Sequence, residues 1–139
     1  MRYDCGVSFS FDQRELVQEV ALRLRNLRLS VFMCDAEPQE SGSLWAWLQS
    51  KYLSCDRIAV FVNRRYLERP ITRRELQFFH SKLEARWAAS AVKLFMHPDA
   101  EHSPLLFPMA FSRYSTADAE HIAAIMSDGQ NEGSRINSG

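Results

Sequence analysis

The chain has 139 residues, with 17 basic and 17 acidic side chains and apolar residues at 46% of positions. That length allows one domain with a single buried core. The even charge balance excludes the strongly basic surface that a polyanion demands, so nucleic acid is not an expected partner.

No apolar run approaches the ~18–20 residues that a membrane-spanning helix needs, so no membrane association is expected. The opening "MRYDCGVSFSF" carries a polar residue every second or third position and no small-residue cleavage signal, unlike a signal peptide. Cys5, Cys34 and Cys55 are odd in number and lack CxxC spacing, which suits reduced thiols and a cytoplasmic location. His80, His97, His102 and His121 are scattered without ligand spacing, and no glycine-rich phosphate loop is present. Neither a metal nor a bound cofactor is therefore expected.

In chain order, residues 3–9 form a short apolar strand, and Asp12 opens a helix with Glu15 completing a capping-box pattern. Leu16, Val17, Val20, Leu24 and Leu27 share one helical face. "LSVFM", residues 29–33, reads as a second strand, and residues 34–43 as an exposed loop with Pro38 and Gly42. Ser43 is placed to cap the next helix, whose buried stripe is Leu44, Trp45, Leu48 and Tyr52. "RIAVFV", residues 57–62, is apolar almost without interruption, as a central parallel strand covered on both faces must be. A third helix starts near Thr72 and turns Leu76, Phe79 and Leu83 inward. "AVKLFM", residues 91–96, is a fourth strand, and "MAFSRYS" holds a short edge strand. Ser115 with Asp118 opens a last helix over 117–126. The domain is expected to end at residue 127, and 128–139, poor in large apolar residues, to form a disordered tail.

Strand and helix alternate throughout, which predicts an α/β fold: a flavodoxin-like three-layer sandwich around a central parallel sheet of about five strands, order 2-1-3-4-5. Ligands of such sheets bind in the crevice beyond the first and third strands. Glu75 lies about a dozen residues after the third strand, on that side of the sheet. Two roles are open to it. Thr72-x-x-Glu75 is a capping-box pattern in which the carboxylate reaches back to the Thr72 amide; alternatively, Glu75 faces the crevice.

"YDCGVSFSFDQRELV", "LRLSVFMCDAE" and "SGSLWAWLQSKYLSCDRIAVFVNRRYLERPITRREL" together resemble a Toll/interleukin-1 receptor (TIR) domain of the bacterial type, over roughly residues 3–115. The likeness lies in a Tyr-Asp strand followed by Ser-Phe, a Gly-x-Ser-Leu helix start, a Ser/Asn-x-x-Tyr turn and a Thr-x-x-Glu helix entry. Ile71 stands where the family usually has tryptophan. Cys34, with Asp35 next to it, stands where an acidic residue is common.

The resemblance implies cleavage of the nicotinamide–ribose bond of NAD⁺, by hydrolysis or cyclisation, with Glu75 as the catalytic acid and NAD⁺ as substrate rather than cofactor. It also implies a role in bacterial immune, antiviral or stress signalling. Self-association through TIR–TIR contacts, a neighbour's residues 34–43 completing the site, and contact with other TIR or effector proteins follow from the same likeness. Phe9, Ser10, Phe11, Asp12, Asp35, Asn63, Tyr66 and Ile71 are the implied substrate-binding residues. One carboxylate suffices for this chemistry, because the pyridinium leaves as neutral nicotinamide and needs no proton donor. Phe9 and Phe11 offer apolar contact, backbone amides near Ser10 and Asp12 face a pyrophosphate, and Arg14, Arg64 and Arg65 add charge.

Other readings stand beside these. A non-catalytic TIR module would signal by homotypic assembly, and a nucleoside deoxyribosyltransferase-like enzyme would also use a carboxylate at this crevice. Phe9 and Phe11 also suit burial on one strand face. Trp45, Trp47 and Tyr52 suit helix packing, with base stacking as the alternative. Cys34 suits a partly buried structural thiol, with a reactive one as the alternative. Arg23, Arg25 and Arg28 suit a solvated helix face or a TIR–TIR contact.

Overall fold

The computed structural model describes residues 2–34, 44–100, 103–106, 108–115 and 118–138, with side chains described as far as residue 128. Its strands are β1 (Tyr3–Ser8), β2 (Val31–Phe32), β3 (Cys55–Val62), β4 (Val92–Met96) and β5 (Ser112–Tyr114). They form one sheet in the order β2-β1-β3-β4-β5, with every neighbouring pair parallel. The helices are α1 (Arg14–Asn26), α2 (Leu44–Leu53), α3 (Arg64–Glu68), α4 (Pro70–Ser81) and α5 (Ala119–Ser138). This is the expected flavodoxin-like order, with β3 at its centre.

Strand β3 shows why its sequence is apolar at nearly every position. Side chains alternate between the two faces of a strand. Ile58, Val60 and Val62 enter one core with Leu48 and Tyr52 of α2 and Leu76 and Phe79 of α4. Ala59 and Phe61 enter the other, with Val17, Val20 and Leu24 of α1 and Ile122 and Met126 of α5. Both faces are covered, so no position is left for a polar alternation. Gly6 of β1 makes room within the first core: a Cβ there would lie 2.7 Å from Cys55 Sγ.

Several expectations about local structure are corrected. The inward stripe of α1 includes Ala21, whereas Leu27 is 56% exposed. Neither Ser10 nor Gln13 caps α1 with its side chain, and residues Phe11–Gln13 form a 3₁₀ turn before it, so the Asp12–Glu15 capping box is not made. Helix α1 ends in a Schellman motif, with Leu29 N–H on the Leu24 carbonyl (3.0 Å) and Arg28 N–H on that of Arg25 (2.9 Å). Arg28, the residue after the C-cap, sits at φ 66°.

In α2 the buried tryptophan is Trp47, and Leu44 is 42% exposed. Its cap Ser43, and most of the loop over 34–43, lie outside the described residues. The Asn-x-x-Tyr turn is a short helix, α3, capped by Asn63 Oδ1, which accepts from Tyr66 N (2.9 Å). Asp118, rather than Ser115, caps α5, its Oδ1 accepting from Glu120 N (2.8 Å) and His121 N (3.3 Å). The α5 backbone is helical through Ser138, across the stretch expected to form a tail.

Candidate functional site

Helix α4 starts at Pro70 with Arg69 as N-cap, two residues before the expected start. Proline at the first helical position gives up an N–H that would have had no helical partner there. The shift changes the role of Thr72, which now lies inside the first turn. Its hydroxyl donates to the carbonyl of Tyr66 (2.5 Å) and lies 3.3 Å from that of Arg69, tying α3 to the start of α4. The Thr72–Glu75 capping box is therefore not formed. Thr72, Glu75, Leu76 and Phe79 fall at helical spacing on the buried face of α4, and this places an acid on an apolar stripe.

Glu75 is 5% exposed. Tyr52 OH donates to its Oε1 at 2.5 Å, and Ser8 Oγ donates to the same atom at 3.0 Å. Ser8 has one proton and spends it on Glu75, so Tyr66 OH, 2.7 Å from Ser8 Oγ, is the donor in that contact. The chain of donors runs Tyr66 to Ser8 to Glu75, and Tyr52 meets it from the other side. Among the described residues no group donates to Oε2. Edge-on contacts with Phe79 (4.8 Å between centroids) and Phe32 (5.5 Å) hold the Tyr52 ring in place.

Burial pushes the Glu75 carboxyl up to about 7, against the lowering pull of the Tyr52 and Ser8 hydroxyls and the Arg69 charge. Burial, and then the Glu75 charge, raise both Tyr52 and Tyr66 well above the usual phenol value, so both remain donors.

Glu75 lines a cavity of about 310 Å³ at the end of the sheet where β1 and β3 finish. Phe9, Phe11, Leu44, Leu48 and Ile71 supply much of its apolar wall, Cys34 one edge, and Arg69 its cation. The cavity lies in the crevice where open α/β sheets bind ligands.

Of the predicted site residues, Phe9, Phe11, Ile71 and Glu75 meet at this cavity. Phe11 is 60% exposed, with the Arg14 guanidinium over its ring. Tyr66 is fully buried and reaches Glu75 only through Ser8. Ser10, Asp12 and Asn63 form a separate cluster. Ser10 Oγ donates to Asp12 Oδ1 (2.5 Å) and lies 3.0 Å from Asn63 Oδ1, while Asn63 Nδ2 donates to Asp12 Oδ2 (2.9 Å). Burial works against the Asp12 charge, but the Ser10 and Asn63 hydrogen bonds outweigh it and hold the carboxyl below the usual value. This cluster clamps the loop after β1 to the loop after β3. Asp35 lies outside the described residues. Arg64 pairs with Glu68 (2.9 Å), away from the cavity.

Four residues at the site were not anticipated as such: Ser8, Tyr52, Arg69 and Thr72. Tyr52 was legible as a buried position, and its phenol on that apolar stripe was the available signal.

The fold is similar to that of the TIR domain of the Toll-related receptor TRR-2 from Hydra magnipapillata, with a TM-score of 0.66 at 14% identity over 96% of this chain and 98% of that one. It is also similar to a diflavin flavoprotein A3 from Nostoc sp., with a TM-score of 0.54 at 10% identity over 91% of this chain and 87% of that one. No protein-family model and no curated protein matches the chain. At such identities the likeness speaks for the fold alone. The chain thus folds as a TIR domain does, on a flavodoxin-like parallel sheet.

Proposed function

We propose that this chain is a TIR domain that cleaves the bond between ribose and nicotinamide in NAD⁺, with Glu75 as the catalytic carboxylate. The observation that carries the reading is the asymmetry of that carboxylate. Oε1 is held by Tyr52 and Ser8, while Oε2 takes no hydrogen bond among the described residues, in a cavity at the ligand-binding end of the sheet.

The C1′–N bond breaks with its electron pair passing to the pyridinium nitrogen, so nicotinamide leaves neutral without a proton donor. Positive charge develops on the ribose, and a preorganised carboxylate oxygen in a cavity with a largely apolar wall stabilises it strongly. Water, or a nucleophilic atom of the same dinucleotide, then takes the vacated position, giving a linear or a cyclic product. Tyr52 and Ser8 are positioning residues: they spend their protons on one oxygen and leave the other for the sugar. The apolar wall with Ile71 suits one face of the nicotinamide ring.

At about 310 Å³ the cavity is at the lower end of the ~300–1,000 Å³ typical of ligand sites. It suits the nicotinamide–ribose half of the dinucleotide, with the remainder outside it. Self-association in the cytoplasm, in which residues 34–43 of a neighbouring copy cover that remainder, belongs to the same proposal.

The test is nicotinamide release from NAD⁺ by concentrated protein, followed chromatographically, beside Glu75→Gln. The wild-type chain is expected to release nicotinamide, and the variant to lose at least about 100-fold in rate. Equal rates, or no release under conditions that drive assembly, would remove the proposal. A second reading, a non-catalytic module acting by homotypic assembly, is favoured by Ile71, which lines the cavity with a branched aliphatic side chain in place of an aromatic one. Concentration-dependent oligomers without nicotinamide release would select it.

A further inference from the structure

Resting on that reading, we infer that Arg69 is a phosphate-binding residue of the Glu75 cavity, so that the site takes pyridinium ribonucleotides in preference to the corresponding nucleosides.

Several arginines of this chain are already engaged. Arg2 pairs with Asp56, Arg23 with Glu19 and Arg64 with Glu68. Arg86 donates to the carbonyls of Leu53 and Cys55, and Arg74 lies over the Trp45 ring. Arg69 does none of these things. It is half-buried and lines the cavity, and its guanidinium makes no hydrogen bond or ion pair among the described residues. A partly desolvated guanidinium presents five donors in a rigid fork, and leaving them unmet is costly. Such a group fits an anion with several oxygens, above all a phosphate, which it binds in bidentate fashion.

Glu75 is not that anion. Arg69 acts on it through space only, and its Oε1 is already occupied by two hydroxyls. Two charged groups of opposite sign therefore line one cavity without an ion pair between them among the described contacts. A ligand that puts a ribose C1′ at Glu75 and a 5′-phosphate at Arg69 satisfies both, and an N-ribosyl pyridinium monophosphate has that layout. NAD⁺ carries the same phosphate on its nicotinamide ribose. The base of the Arg69 side chain is well fixed for this role: its N–H donates to the Arg65 carbonyl (3.1 Å), and its own carbonyl accepts from Arg73 N (3.1 Å).

The experiment measures binding, so it does not depend on turnover. Nicotinamide mononucleotide and nicotinamide riboside are titrated by calorimetry into the Glu75→Gln chain, which leaves the ligand intact. The same titrations follow with Arg69→Gln or Arg69→Lys added. The mononucleotide is expected to bind about tenfold or more tightly than the riboside, since a hydrogen bond to a charged group contributes that much. Adding Arg69→Gln brings the ratio to within about twofold of one, and Arg69→Lys leaves an intermediate ratio because it keeps the charge but loses the bidentate fork. Equal affinities before the Arg69 change, a ratio that Arg69→Gln leaves unmoved, or no binding of either compound overturns the inference. Binding with the expected ratio but no NAD⁺ turnover by the wild-type chain overturns only the catalytic reading.

Discussion

Glu75→Gln is expected to stabilise the fold at high pH and to lose that advantage at low pH. The carboxyl is held at about 7 in the folded chain against 4.5 for the free group, with burial as the leading cause. Between those values the unfolded chain has released a proton that the folded chain still holds. Raising the pH through this window therefore favours unfolding. The penalty is absent below pH 4.5 and complete above about pH 7. A difference of about 2.5 units at ~1.4 kcal/mol per unit gives a cost of about 3.5 kcal/mol.

Because Glu75 is only 5% exposed, solvent does little to screen that cost. Glutamine keeps one carbonyl oxygen for Tyr52 and Ser8, which both donate to a single oxygen in the native chain. The measurement is urea unfolding of both chains at about pH 4.5, 6, 7 and 8.5, with stability taken as the difference between them so that other titrating groups cancel. The variant should gain about 3.5 kcal/mol relative to wild type across the series, equivalent to roughly 10 °C in melting temperature for a domain of this size. A difference that stays constant with pH, or that moves in the opposite direction, would refute the reasoning. An activity that is lost while stability rises is the trade expected where a charge is buried for function.

Tyr52→Phe removes a hydrogen bond that lowers the Glu75 pKa. The groups that remain facing Glu75 are Ser8 from β1, Tyr66 from α3 through Ser8, and Arg69 ahead of α4. The pH midpoint of NAD⁺ turnover is expected to rise by roughly one unit, with activity recovering on the alkaline side; a midpoint that does not move would show that the phenol does not act on the carboxylate. Arg28→Gly is expected to stabilise the chain by about 0.5–1 kcal/mol, because Arg28 occupies φ 66° in a position glycine adopts freely. An unchanged or lowered urea midpoint would count against that account.

Composition and periodicity alone determined the α/β class, the parallel sheet and its strand order. A run such as Ile58 to Val62 is apolar throughout only where both faces of a strand are covered, and the regular alternation with helices leaves few other arrangements. The inward positions Leu76 and Phe79 were equally legible, and Glu75 was legible as an acid on the crevice side of the sheet, but its burial beside Thr72 came only from the structure. What the local pattern left open was which of its two roles Glu75 plays, because a glutamate that caps Thr72 and one that faces the crevice occupy the same position in the sequence. Pro70 as the first residue of α4 moved Thr72 inside the helix and removed the cap.

The donors that meet Glu75 are Tyr52, 23 residues away in sequence, and Ser8, 67 residues away. No periodicity links residues so far apart; only the packing of α2 and α4 on the same face of β1 and β3 brings them together. Arg69 belongs to the same class, since a cation before a helix reads as surface until a cavity is found beside it. Sequence thus determined the fold, through burial patterns repeated along the chain, and marked the acid through its place after the third strand. The tertiary structure decided how that acid is held and which oxygen it offers, because that depends on side-chain groups meeting across the sheet.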